Sequence, residues 1–226
     1  MRPAVLALDV NETLSDLQPL AARLEAAGAP GHLLATWFAS VLRDGFALAA
    51  AGAYADFAEI ARDTLRSTLA QVEGLTCTPD EAARLVLDGL RELPLHPDVR
   101  PGLEQLHAAG MRLVTLTNGS VASTRSLLER GGAAGLVEQL LSVEGVRRWK
   151  PSPEPYRDAA ASCGVAPERV MLVAVHPWDV DGALRAGLRA CWIDRSGAPY
   201  PTIFREPELT CRDFAELATA LTTGSQ

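Results

Sequence analysis

The sequence predicts an α/β fold: a parallel sheet with helices on both faces, interrupted after its first strand by an inserted block of four helices. Three observations point to it. A short apolar run, Ala4 to Leu8, ends in Asp9 and reads as a fully buried strand. From about 19 to 93 the apolar residues recur at helical spacing. After Pro94 helical and strand patterns alternate, which builds parallel sheets with crossover helices. The expected boundaries are a core of 1–15 and 94–226, with a helical subdomain at 16–93.

Each element follows from its own pattern. Leu20, Leu24 and Ala27 make a first helical stripe, and Leu33, Leu34, Trp37, Val41 and Leu42 a second. Phe57, Ile60, Ala61, Thr64, Leu65 and Leu69 make a third. The fourth opens on Thr78-Pro79-Asp80-Glu81, a capping box with proline at the first helical position, and continues through Leu85, Val86 and Leu90. Four helices with short connections form a small bundle. Beyond Pro94 a helix over about 98–109 stops at Gly110, and a strand over 111–117 runs into Asn118-Gly119. A helix over about 121–130 and a short strand near 140–143 lead to Lys150. Helix 154–163, strand 170–175, helix 178–186, strand 190–193 and helix 212–221 complete the chain. The tail Gly224-Ser225-Gln226 reads as disordered.

With 226 residues, 48% apolar and 22% charged, the composition is that of a soluble globular protein large enough to bury a core. A formal charge of -7 offers no electrostatic attraction for nucleic acid or an anionic membrane. No apolar stretch reads as a bilayer span: the richest, 33–57, is interrupted by Arg43, Asp44 and Asp56. The N-terminus passes directly into a strand, unlike a secretory signal. Cys77, Cys163, Cys191 and Cys211 lack Cys-x-x-Cys spacing, so they read as reduced thiols of a cytoplasmic protein rather than a zinc site or a disulfide framework.

The chemistry gathers where a parallel sheet binds ligands, at the carboxyl ends of its strands. Asp9, Thr117, Asn118 and Asp179 all follow such ends, and Lys150 lies on the connection after the short strand. A carboxylate there is a potential nucleophile, although an Asp after a strand also serves as a helix cap. Lys150 is the only lysine in a chain that otherwise uses arginine, which suggests a task arginine cannot perform. Beside Asp9 its ammonium would keep the acid ionised. Thr117 and Asn118, ahead of a helix, make either an anion cradle or a plain strand-to-helix turn. Asp179 suits either chemistry or the helix dipole. A neutral His176 near Asp9 and Asp179 could activate a water molecule.

In order and spacing, Asp9, Thr117-Asn118-Gly119, Lys150-Pro151 and His176-Pro177-Trp178-Asp179 resemble the haloacid dehalogenase superfamily, and within it the metal-free (S)-2-haloacid dehalogenases, over essentially the whole chain. The resemblance implies a Rossmann-like core with an inserted cap, and Asp9 attacking a small-molecule substrate to form an aspartyl ester. It implies Thr13 orienting that nucleophile, Lys150 and Asp179 near the hydrolytic water, Tyr156 beside the substrate, no cofactor or metal, and loosely a homodimer. Where phosphatases of the superfamily carry a second Asp and a metal-binding Asp, this chain has Asn11 and Val175. Where the dehalogenases present a cap arginine after a tryptophan-like position, Phe38 follows Trp37; their serine and asparagine of the last motif become Ala174 and His176. The expected catalytic set is Asp9, Lys150, Asp179, Thr117 and His176, with Asn11, Thr13, Phe38, Asn118 and Tyr156 on the substrate side. The expected reaction is metal-independent dehalogenation of a short 2-haloacid. The alternatives are a phosphatase of a small phosphorylated metabolite and a catalytically silent binding protein.

Overall fold

The computed structural model describes residues 2–223, so the tail Gly224-Ser225-Gln226 lies outside the described residues. The chain divides into two compact units, Asp16–Pro94 and the pair of segments Met1–Ser15 and Leu95–Gln226.

The Asp16–Pro94 unit is helical: α1 (Pro19–Ala26), α2 (Leu33–Ala50), α3 (Phe57–Leu69) and α4 (Pro79–Gly89). Two of these helices start on reciprocal capping boxes, Asp56 with Glu59 and Thr78 with Glu81. The Trp37 indole N–H donates to the Ala61 carbonyl at 3.0 Å, tying α2 to α3 inside the bundle. Leu85 does not join the core as its spacing suggested: it is exposed, and α4 buries Ala82, Ala83, Val86 and Gly89 instead. The reason is close approach, since a Cβ on Gly89 would stand 2.7 Å from Leu20 and 2.5 Å from Arg23 of α1. A second expectation also needs correction. The 18 residues of α2 have a mean hydropathy of 1.3, long and apolar enough to cross a bilayer by length and composition. Arg43 and Asp44, read as interruptions, are too few to lower that mean and pair with each other at 2.7 Å.

The other unit is a six-stranded sheet with strands β1 (Val5–Leu8), β2 (Arg112–Thr117), β3 (Gln139–Ser142), β4 (Val170–Ala174), β5 (Arg189–Ile193) and β6 (Leu209–Cys211). Their order is β3-β2-β1-β4-β5-β6, and every pairing is parallel. The connecting helices are α5 (Val99–Ala108), α6 (Val121–Arg130), α7 (Pro153–Ser162), α8 (Pro177–Arg185) and α9 (Phe214–Thr223). All four residues of β1 are buried, and Val5, Ala7, Val114, Leu172, Val180 and Trp192 belong to one core cluster. The sixth strand escaped the sequence reading because three residues carry no usable periodicity; it exists by pairing with β5, Cys191 against Leu209 and Ile193 against Cys211.

The sheet winds outward from β1 in both directions, first through β2 and β3, then through β4, β5 and β6. Such a reversal opens a crevice at the carboxyl end of the central strand. Leu8 pairs with Thr115 and Val173, and the Asp9 N–H extends the ladder to the Val173 carbonyl at 3.0 Å. The main chain of Asp9 is thereby held at the mouth of that crevice.

Candidate active site

Four loops bring their residues together around Asp9. The first follows β1 and makes a tight turn in which the Val10 carbonyl accepts from the N–H groups of Leu14 and Ser15, at 2.9 and 3.0 Å. The turn requires Glu12 to adopt a left-handed conformation, φ 62°. For a residue with a Cβ this costs about 1–2 kcal/mol, which surrounding contacts must offset. The turn swings Thr13 back onto Asp9: its hydroxyl donates to Asp9 Oδ2 at 2.6 Å and accepts from the Val175 N–H at 3.1 Å.

The second and third loops act together. The Asn118 side-chain carbonyl accepts from the Lys150 N–H at 2.9 Å, and its amide donates to the Lys150 carbonyl at 3.3 Å. This fixes the main chain of Lys150, whose fully buried ammonium donates to Asp9 Oδ1 at 2.9 Å, Asp179 Oδ2 at 2.6 Å and the Leu116 carbonyl at 2.8 Å. Three donors on one ammonium meet three acceptors, so its hydrogen-bonding capacity is filled. Asn118, expected on the substrate side, uses both ends of its side-chain amide on the lysine backbone. The cradle expected ahead of α6 would draw on the first N–H groups of that helix. The Ser120 hydroxyl accepts from the Ser123 N–H and Glu144 from the Val121 N–H, so these groups at the start of α6 already have acceptors. Thr117 is buried, with its hydroxyl oxygen accepting from the Gly119 N–H at 2.9 Å. Asn11 comes to the same place: a Cβ on Gly119 would lie 3.3 Å from the Thr117 hydroxyl and 3.7 Å from the Asn11 amide.

The fourth loop follows β4. Asp179, in the first turn of α8, is fully buried and takes the Tyr156 hydroxyl on Oδ1 at 2.5 Å. Tyr156 is thus neither a plain core aromatic nor a group open to substrate, since its polar end is engaged by the carboxylate. His176 precedes α8 with its imidazole between two acids, Nδ1 3.3 Å from Asp9 Oδ2 and Nε2 2.9 Å from Glu12 Oε2. Trp178 leans over it, ring centroids 5.1 Å apart at 31°. Phe38 belongs to the helical unit, where it packs its ring against Phe57 on α3 with centroids 6.5 Å apart.

The electrostatics follow from this geometry. Burial alone would push the Asp9 carboxyl up, but the Lys150 charge and the hydrogen bonds of His176 and Thr13 outweigh it and hold Asp9 well below the usual carboxylate range. Burial disfavours the Lys150 ammonium, yet Asp179 and Asp9 together raise its pKa. Asp179 moves upward, because burial and the neighbouring Asp9 charge exceed the help it gets from Lys150. His176 is also opposed by burial, and the bonds to Asp9 and Glu12 still lift it to about 9. Where a neutral imidazole was expected, the two flanking acids favour the protonated ring. Glu12 is the residue that sequence reading missed. An acid in a turn with left-handed geometry has no periodic signature, and its partner lies 164 positions away.

Asp181 stands apart from this cluster, bonded to Arg185 and the Arg205 N–H. Among the described residues no group of three or more His, Cys, Asp or Glu is arranged to hold a metal ion. An ammonium occupies the position between the two buried carboxylates.

Comparison with known proteins agrees with this arrangement. Residues 3–187 match the family model for haloacid dehalogenase-like hydrolases. The chain is 31% identical over 207 residues to haloacetate dehalogenase H-2 of Moraxella sp. (strain B), covering 91% of this chain and 92% of that one. It is 28% identical over 183 residues to (S)-2-haloacid dehalogenase H-109 of Pseudomonas putida, covering 81% and 77%. A solved L-2-haloacid dehalogenase superposes with a TM-score of 0.90 at 27% identity, over 98% of this chain and 99% of that one. With an ionised carboxylate at the sheet's switch point and its loops in this order, the chain belongs to the haloacid dehalogenase-like hydrolases.

Proposed function

We propose that the protein hydrolyses the carbon–halogen bond of a short 2-haloacid through an ester on Asp9, without a metal ion. One observation carries the reading. Asp9 is kept ionised by an ammonium 2.9 Å away, and an amide, Asn11, stands two residues on where a general acid would be needed for phosphate esters. Halide leaves without a proton, so the missing acid costs this reaction nothing.

In the first half-reaction Asp9 Oδ2 attacks C2 of the substrate. A C–O bond forms, the carbon–halogen bond breaks with inversion, and halide departs with the electron pair. In this reading Asn11 and the Thr117 hydroxyl, beside Gly119, receive the substrate carboxylate. Esterification removes the negative charge of Asp9, and with it one of the two anions that keep His176 protonated. The imidazolium then loses its proton toward Glu12 and solvent, which frees a base next to the ester. In the second half-reaction that base takes a proton from water as the oxygen attacks the Asp9 carbonyl carbon. Lys150, on Oδ1, stabilises the oxyanion. Collapse expels the 2-hydroxy acid from Oδ2 with the proton that His176 returns to its alkoxide oxygen, and the new Asp9 acid passes its own proton to His176, which restores both the ionised Asp9 and the imidazolium. Asp179 and Tyr156 hold Lys150 in place throughout.

The proposal extends to the helical unit as a substrate-covering cap, and to a cytoplasmic homodimer. The free state of Cys77, Cys163, Cys191 and Cys211 supports a reducing compartment. The molar mass in solution tests the dimer. The reaction is tested with chelator present, scoring halide from short 2-haloacids and phosphate from an aryl phosphate. A single turnover in heavy-oxygen water should place the label in the Asp9 peptide. Label found only in the product, or magnesium-dependent phosphate release, would overturn the reading.

A further inference from the structure

The turn that follows Asp9 is gripped from outside. Three consecutive carbonyls in it each accept a hydrogen bond from a distant residue. The Glu12 carbonyl faces His96 Nε2 at 3.1 Å, so that nitrogen carries the hydrogen. The Thr13 carbonyl accepts from Arg195 Nη2 at 3.0 Å, and the Leu14 carbonyl from the His96 N–H at 2.9 Å. Arg195 is itself braced: its Nη1 donates to Asp98 Oδ1 at 2.9 Å, and Asp98 Oδ2 accepts from the Phe214 N–H at 2.9 Å. The brace thereby joins the loop after β5, the residue before α5 and the first residue of α9 to the nucleophile's turn. None of these groups touches Asp9, Lys150 or His176 in the hydrogen bonds described above.

Such a grip has a purpose where the backbone would otherwise relax. Glu12 is held left-handed, and a residue released from that conformation would swing its carboxylate away from His176 Nε2, now 2.9 Å distant. Thr13 is less dependent on the clamp, because its hydroxyl is anchored on both Asp9 and the Val175 N–H. Loosening the clamp therefore disturbs the His176–Glu12 pair more than the nucleophile.

We propose that Arg195, braced by Asp98 and aided by His96, is a positioning residue for ester hydrolysis: it holds the turn that presents the Glu12 carboxylate to His176. This rests on the two-step reading above, in which Asp9 is esterified and His176 serves the second step.

The test is rapid quench of the full-length enzyme with a 2-haloacid, measuring the esterified fraction of Asp9 by mass spectrometry. Wild-type enzyme must first show the ester; if it never does, the two-step reading falls and the clamp's role falls with it. Given the ester, Arg195→Met is expected to slow its hydrolysis about tenfold and alkylation less than threefold, so that ester accumulates in the steady state. Arg195→Lys, which keeps a donor, should recover part of the loss. Asp98→Asn, which leaves the guanidinium in place without its charged brace, should show a smaller effect of the same kind and decides the matter if the methionine variant does not fold. In a Glu12→Gln background, Arg195→Met should add little to the hydrolysis defect, because both changes act through one contact. Unchanged ester hydrolysis in folded Arg195 and Asp98 variants, equal slowing of both steps, or full additivity with Glu12→Gln would each overturn the inference.

Discussion

Asp9 keeps its charge among three other buried titratable groups, Lys150, Asp179 and His176, and the resulting balance sets what each residue does when altered. Lys150 serves Asp9 and Asp179 at once. Lys150→Met would leave two carboxylates facing each other without solvent, so unfolding free energy should fall by about 3–5 kcal/mol and turnover by about 10³-fold. Chemical denaturation and halide release measure the two effects, and a stable, active variant would refute the pairing. His176 carries the opposite sign. Its pKa is raised from an ordinary 6.5 to about 9 in the folded chain, so its contribution to stability is complete below 6.5 and disappears as pH climbs through 9. The stability difference between wild type and His176→Asn should therefore shrink, by on the order of 3 kcal/mol, between pH 6 and pH 10. A difference that stays level across that range would show that the imidazole is not charged in the folded state. Asp9 and Asp179 were legible because strand ends announce themselves by the apolar run before them, and Lys150 because it is the one lysine of the chain. The charge of His176 was not legible in this way, because it depends on Glu12, brought near by a turn whose geometry no single residue type betrays.

Helices and strands place these groups through a few close approaches. A Cβ on Gly182 of α8 would stand 2.6 Å from the Tyr156 hydroxyl and 2.7 Å from Pro151 Cβ, directly behind the Lys150–Asp179 contact. Gly182→Ala is expected to destabilise the chain by about 1–3 kcal/mol and to reduce turnover about tenfold, by displacing Tyr156 from Asp179. Gly135→Ala provides the contrast, since nothing lies within 4 Å of its added methyl, and it should leave stability within about 0.5 kcal/mol. Melting curves and steady-state rates of both variants decide the point. At this scale the sequence was most readable where one period runs long, as in α2 or β4, and where capping chemistry marks an end, as at Thr78. It was least readable where an element exists only through its neighbour. β6 is three residues paired to β5, and Leu85 lost its place to Ala82 and Ala83 because α4 approaches α1 through small side chains.

For the molecule as a whole, among the described residues every group hydrogen-bonded to Asp9 lies in the unit built from Met1–Ser15 and Leu95–Gln226. The two chain segments that lead out of it are paired, Ser15 bridging Leu95 and the His96 N–H bonding the Leu14 carbonyl. A short flexible linker in place of 16–94 can therefore close without strain. Such a chain should keep the histidine titration near pH 9, read by nuclear magnetic resonance, if the charge cluster is a property of the sheet unit alone. Loss of that signal would mean the helical unit contributes to it. The division into a sheet unit and a helical insertion was legible from the change in periodicity at Pro94. The identity of the substrate was not, because selection among 2-haloacids depends on shape rather than on any spacing of residue types.

The solitary lysine offers a practical dividend. Because no other position in the chain bears that side chain, feeding nitrogen-15 lysine to the expression culture labels a single amine, seated between Asp9 and Asp179. One resonance should then report the state of the reaction centre, shifting when the alkyl group arrives on the acid and returning when water removes it.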